Sequence, residues 1–160
     1  MTRMKRFTHA PIGICIHHSA TTDGAVTRNT DAIRRYHVET NGWSDIGYHY
    51  LVERVDGVVQ IIEGRPIQFR GAHCPALNAT HIGVCIVGNY DLAPPDDEML
   101  DKLQELCDIL MHTYKIPLRG IVYHCDYSHK TCPGRQFPKV GFLLALAGEE
   151  RPVQPKEATP

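Results

Sequence analysis

The sequence predicts a single α/β domain built on a mixed central β-sheet flanked by helices. Three observations carry that reading. Strand-like apolar runs alternate with helical patterns along the chain, the order that lays helices on a sheet. The pair Asp56-Gly57 sits between two β-rich runs and signals one antiparallel hairpin, which makes the sheet mixed. At 160 residues, with 42% hydrophobic and 22% charged residues, the chain has the size and composition of one globular unit with a buried core.

The first strand is read at Ile12-Gly13-Ile14-Cys15-Ile16-His17-His18, which is apolar and β-branched. Ser19 to Thr27 reads as a polar loop. A helix follows, with Asn29 or Thr30 as N-cap, running from Asp31 to about Thr40 and stopped by Asn41-Gly42. Gly47 to Arg54 and Val58 to Ile62 form the arms of the hairpin. Ile82 to Val87 is a further apolar strand, ended by Gly88-Asn89. Pro94-Pro95-Asp96-Asp97 caps the longest helix, about Glu98 to Tyr114, in which Leu100, Leu103, Leu106, Cys107, Leu110 and Met111 recur at helical spacing. Ile121 to His124 is a short strand, and Phe137 to Leu146 a last helix with Pro138 near its first turn. The folded domain is read as residues 8–148, and the Pro-rich residues 149–160 are expected to form a disordered tail.

A formal net charge of −1 leaves no global basic field for nucleic acid or an anionic membrane, so neither is expected as a partner. No apolar run reaches transmembrane length. Arg3, Lys5 and Arg6 look like the basic start of a signal peptide, but the apolar run after them, Ala10 to Ile16, is short and stops at two histidines. A monomer made in the cytoplasm is expected. Of the six cysteines, Cys15 and Cys85 lie in apolar strand runs and Cys107 in a helical pattern, which favours reduced thiols and a reducing compartment.

The chemistry concentrates in His124-Cys125-Asp126-Tyr127-Ser128-His129-Lys130-Thr131-Cys132, ahead of the turn Pro133-Gly134. A second imidazole source, His17-His18, ends the first strand. Two His and one Cys can hold a zinc ion and leave its fourth position open for water, as in a catalytic site. His124 ends a strand, and the loop to Cys132 can fold back so that both reach one ion at the strand ends. The third ligand is His17 or His18. Strand neighbours point to opposite faces, so only one can reach the metal, and the pattern leaves open which. Lys130 beside a metal would stabilise a developing oxyanion. Tyr48, whose usual strand role is packing, would offer a phenol to a substrate carbonyl or a bound water. His73, in Gly71-Ala72-His73, is a candidate substrate contact. The local alternative is a closed zinc site from Cys125, His129 and Cys132, with His124, but it lacks a second ligand pair at finger-like spacing. These residues favour a zinc hydrolase.

Several segments then occur in order: His17-x-Ser19-Ala20-Thr21, Gly42-Trp43-x-Asp45-Ile46-Gly47-Tyr48-His49, Ile82-Gly83-Val84-Cys85-Ile86-Val87-Gly88, His124, and Lys130-Thr131-Cys132-Pro133-Gly134. Together they resemble the type 2 N-acetylmuramoyl-L-alanine amidase family, which includes amidase-type phage lysozymes and animal peptidoglycan-recognition proteins. The resemblance runs from about Ile12 to Phe142. It implies zinc (Zn2+) held by His17, His124 and Cys132, the first residue of the His-x-Ser-Ala-Thr motif being the ligand. It implies Tyr48 and Lys130 as the catalytic side chains near the metal. The implied substrate is peptidoglycan, cleaved between N-acetylmuramic acid and the L-alanine of the stem peptide. The implied role is that of a phage or prophage endolysin acting on the wall after membrane permeabilisation.

Two rival readings belong to the same family. Cytoplasmic amidases that recycle wall fragments place Asp at the third ligand position, so Cys132 weighs against that branch. Non-catalytic recognition modules typically lose a ligand, so retained Tyr48 and Cys132 weigh against them too. Two positions depart from the family pattern. Cys125 follows the ligand histidine where Arg is frequent, and Cys74 to His81 replaces a Gly- and Asn-rich loop. In relatives that loop borders the substrate groove, which makes Asn78 a second candidate substrate contact beside His73.

Overall fold

Strands β1 (Gly13–His18), β2 (Tyr50–Val55), β3 (Val58–Glu63), β4 (His81–Ile86) and β5 (Ile121–Tyr123) form one sheet in the order β3-β2-β4-β1-β5. The computed structural model of the chain describes residues 3–21 and 29–151. β2, β4, β1 and β5 are parallel neighbours, and β3 returns antiparallel along β2. The predicted hairpin forms through Asp56 (φ 50°) and Gly57 (φ 79°), the two left-handed residues of a turn that matches strand twist.

Register makes the two faces of this sheet different. Ile14 pairs with Ile82 and Ile121, and Ile16 with Val84 and Tyr123, so the centre of one face carries large apolar side chains. These pack under α2 (Asp97–Tyr114) through Leu100, Leu103, Leu106 and Leu110, with Phe142 of α3 (Lys139–Leu146) beside them. The intervening residues Cys15, His17, Gly83 and Cys85 share the other face, because side chains alternate along a strand. A smaller cluster of Ile46, Leu51, Cys85 and Val87 lies there, with Ile33 of α1 (Asn29–Arg35) packed on it.

α2 begins where the acidic run placed it. Asp96 is the N-cap, its side chain accepting from the Met99 amide at 2.9 Å, and Lys115 closes the helix in the left-handed region. α3 starts at Lys139, two residues later than the pattern suggested, because Pro138 has non-helical dihedrals and Phe137 is buried in the core. α1 differs in two ways. It ends at Arg35 and passes into a π-helical turn, Tyr36–Thr40, and the amides of Asn29 and Thr30 donate to the Glu53 carboxylate on β2. The anion that caps this helix therefore comes from across the fold. Residues 5–7 pair with residues 68–70, so ordered contacts begin before the expected boundary at residue 8. At the other end Arg151 pairs with Asp101 of α2. The remainder of the expected tail, and most of the expected loop between Ser19 and Thr27, lie outside the described residues. All six cysteines are free thiols. Among the described residues no helix is long and apolar enough to cross a membrane.

Candidate metal centre and active-site cleft

Parallel pairing sets the site. β1 and β5 are neighbours in register, with Ile16 opposite Tyr123, so the next residues, His17 and His124, meet at the ends of both strands. Their ring centroids are 4.5 Å apart. The chain after β5 folds back, and the Cys125 amide donates to the Cys132 carbonyl at 2.7 Å. That turn brings the Cys132 sulfur to 3.6 Å from His17 Nδ1 and 3.3 Å from the His18 amide, which donates to it. The donor atoms of His17, His124 and Cys132 all lie within 4.8 Å of one another, and all three residues are buried. Two imidazoles and a thiol at that spacing fit a zinc ion in both ligand type and number.

The structure also separates His17 from His18. His18 lines the cleft but is not among the converging donors, and its Nδ1 accepts from the Tyr90 amide at 3.1 Å. The closed alternative does not assemble: among the described residues, Cys125, His129 and Cys132 are not a group with converging donor atoms. The Cys125 sulfur instead lies 3.5 Å from Lys139 Nζ. A second convergent group does exist, Cys15, His17 and His73, beneath the first.

Burial governs the protonation of the first group. It lowers the pKa of His17 far below the usual histidine value, helped by neighbouring His73 and His124. It also lowers His124, with Lys130 contributing. It pushes the Cys132 thiol up to about 12, against the pull of the His18 amide. A neutral pair of imidazoles is ready to ligate, whereas the thiol needs a bound cation to displace its proton.

His124, Cys132, Tyr48 and Lys130 line one cleft of about 450 Å³, together with His129 and Asp91. The Tyr48 ring lies 5.2 Å from that of His17. Burial first, then the thiols around it, raises the Tyr48 phenol well above its usual value, so it remains a hydrogen-bond donor. Lys130 is exposed on the cleft wall. Tyr48 also borders a second cleft of about 410 Å³, walled by Ile33, Tyr36 and His37. A third, of similar volume, is lined by Trp43, Arg3, Lys5, Arg70 and Asn78.

The two candidate substrate contacts occupy different positions. His73 is buried behind His17, its Nδ1 3.0 Å from His17 Nε2. Asn78 borders the third cleft, but its Oδ1 is engaged internally, accepting from the amides of His73 and Cys74 at 2.7 and 2.9 Å. One supporting residue escaped the sequence reading. Asp91 accepts from the Arg135 amide at 2.9 Å and the Thr131 hydroxyl at 2.8 Å, gripping the loop on both sides of Cys132. Those bonds hold its carboxyl below the usual range. Its partners are 40 and 44 residues away, so no local pattern marks it.

Fold and site together define a class: an α/β domain whose parallel strands end in two imidazoles and a thiol able to hold one metal ion, with a phenol and an ammonium in the same cleft. Comparison with known proteins places the chain within that class. The family model for N-acetylmuramoyl-L-alanine amidase matches residues 7–135. An endolysin of Enterobacteria phage K11 is 31% identical over 133 residues, covering 79% of this chain and 85% of the endolysin. Peptidoglycan-recognition protein SC1a of Drosophila melanogaster is 30% identical over 124 residues, covering 74% of this chain and 65% of that protein. The solved structure of the endolysin amidase LysCS from Clostridium intestinale superposes with a TM-score of 0.75 at 28% identity, covering 93% of this chain and 90% of that one. This chain belongs to the N-acetylmuramoyl-L-alanine amidase family.

Proposed function

We propose that the chain is a zinc-dependent amidase acting on peptidoglycan as an endolysin, hydrolysing the bond between N-acetylmuramic acid and the L-alanine of the stem peptide. One observation carries the reading: the donor atoms of His17, His124 and Cys132 converge, and His124 and Cys132 line a cleft that also holds Tyr48 and Lys130. The likeness to endolysins of a phage and of a bacterium supports the substrate and the role.

Zinc held by His17, His124 and Cys132 would supply a lowered water pKa and a polarising charge for the scissile carbonyl. The side chains do the rest. Lys130 places an ammonium on the cleft wall, where it stabilises the negative charge that grows on the carbonyl oxygen during attack. Tyr48 stays protonated and donates a hydrogen bond that orients the carbonyl or the attacking water. Asp91 holds Thr131 and Arg135, and so fixes where Cys132 and Lys130 stand. Arg3, Lys5 and Arg70, with Trp43, line the third cleft and suit the carboxylates of a stem peptide.

Similarity to a recognition protein favours one other reading, a module that binds peptidoglycan without cutting it. Mass spectrometry of a purified peptidoglycan digest, with and without chelator, separates the two. Free stem peptides beginning at L-alanine, lost on chelation and restored by zinc, are expected. Intact muropeptides in the presence of a zinc-loaded chain would select the binding module.

A further inference from the structure

We infer that His73 is a positioning residue for the metal centre: it holds His17 in the one tautomer that aims Nδ1 at the metal, and Gly71 and Gly83 are glycine because they seat the His73 ring. This inference rests on the metal reading proposed above.

The two nitrogens of His17 face opposite ways. Nδ1 lies 3.6 Å from the Cys132 sulfur, and Nε2 lies 3.0 Å from His73 Nδ1. The far nitrogen of His73, Nε2, is 3.2 Å from the backbone carbonyl of His81. A carbonyl only accepts, so His73 Nε2 carries the proton. A neutral imidazole protonated there has a bare Nδ1, which can only accept. His17 must therefore present Nε2–H to it, and its own lone pair is left on Nδ1, the atom beside Cys132. A backbone carbonyl on β4 thus dictates, through two hydrogen bonds, which nitrogen of His17 is free to ligate.

The seat of the ring is built for it. A Cβ added at Gly83 would lie 2.4 Å from His73 Cδ2, and one at Gly71 would lie 2.2 Å from the same atom. Real carbon atoms do not approach so closely. Gly83 sits mid-strand on β4, where glycine weakens a sheet and needs a reason. The ring lying against it is that reason. Asn78 completes the seat by accepting from the His73 amide at 2.7 Å, which fixes the backbone carrying the ring. His73 also belongs to the second convergent group with Cys15 and His17, so a metal shared through His17 Nε2 is the rival account.

The test compares wild type with His73→Phe, which keeps ring bulk and removes the acceptor, and with His73→Asn, whose side-chain oxygen falls near the Nδ1 position. Zinc affinity is measured by competition with a chromophoric chelator on variants whose circular dichroism matches wild type. Long-range 1H–15N spectra of the metal-free protein report the His17 tautomer. Expected are zinc binding weakened about 10–100-fold in His73→Phe, recovery of most of it in His73→Asn, and a wild-type His17 protonated on Nε2. Gly83→Ala should weaken zinc in the same direction. Equal zinc affinity in wild type and His73→Phe overturns this inference alone and leaves the amidase reading standing. So does a wild-type His17 protonated on Nδ1, a result that needs no variant to fold. Two zinc ions in wild type, one of them lost in His73→Phe, would make His73 a ligand and overturn the positioning role. A wild-type chain that takes up no zinc overturns the metal reading and this inference together.

Discussion

The two faces of the sheet are cut from the same strands and carry opposite chemistry. Under α2, β1 and β4 present Ile14, Ile16, Ile82, Val84 and Ile86, all inaccessible to solvent. One residue along, the same strands present Cys15, His17, Gly83 and Cys85 to the other face. Each aliphatic side chain of the first face contributes about 1.5–3 kcal/mol by leaving water and needs no particular partner. The second face buries His17, His49, His73 and Glu53, and a buried polar group is costly unless it is bonded. Each one is: His17 to His73, His73 to the His81 carbonyl, His49 to the Phe69 carbonyl and the Gly83 amide, and Glu53 to the start of α1. One face is therefore replaceable by volume, and the other only by matching donors to acceptors.

That contrast can be broken from either side. The largest effect is expected on the polar face without loss of fold. Cys132→Ser should abolish zinc uptake and peptidoglycan hydrolysis together. Lys130→Ala should keep zinc and lose about 100–1,000-fold in turnover, as removal of an oxyanion stabiliser does. Metal analysis beside a turnover assay checks both, and a fully active Lys130 variant would remove that residue from the mechanism. On the aliphatic face, Leu103→Ala should cost about 2–5 kcal/mol in urea unfolding while the folded variant binds zinc as before. If zinc affinity falls with stability, the two faces are not independent.

Acid should act on the polar face. Burial lowers His49 from 6.5 to about 4, so between those values the unfolded chain binds a proton that the folded chain does not. Its contribution is intact above pH 6.5 and is lost as pH falls toward 4, at up to about 1.4 kcal/mol per pH unit. Urea melts of metal-free protein across that window should show the slope, and replacing His49 with a non-titrating residue in a folded variant should reduce it. The smallest effect is expected for Glu53→Gln, which weakens the anionic cap of α1 at a cost of about 1–2 kcal/mol. Unchanged stability in that variant would mean that the cap needs no charge.

Much of this was legible in the amino-acid order. The hairpin was readable because Asp56-Gly57 supplies two residues that tolerate positive φ, and α2 because six apolar residues recur at its period. The π-turn at Tyr36–Thr40 was not, since nothing local distinguishes it from α-helix. Nor was the cap of α1, because the sequence offered Asn29 and Thr30 while the structure uses a carboxylate 23 residues away from Thr30. The loop histidine His73, in Gly71-Ala72-His73, is a candidate substrate contact by sequence, and a plain loop histidine fits that pattern equally well. Its ring instead points into the sheet, where only the register of β4 could have placed it.

By itself the sequence determined which segments are strands and helices, and the ligand types available. Those follow from short-range periodicity and turn chemistry. The motif resemblance named His17, His124 and Cys132 as one set; tertiary structure decided how a strand end and a cysteine 115 residues later meet, and that His73 stands behind them. The physical reason is that parallel strands side by side in the sheet are distant in the chain. Contacts at their ends are set by register and packing, which no local pattern encodes.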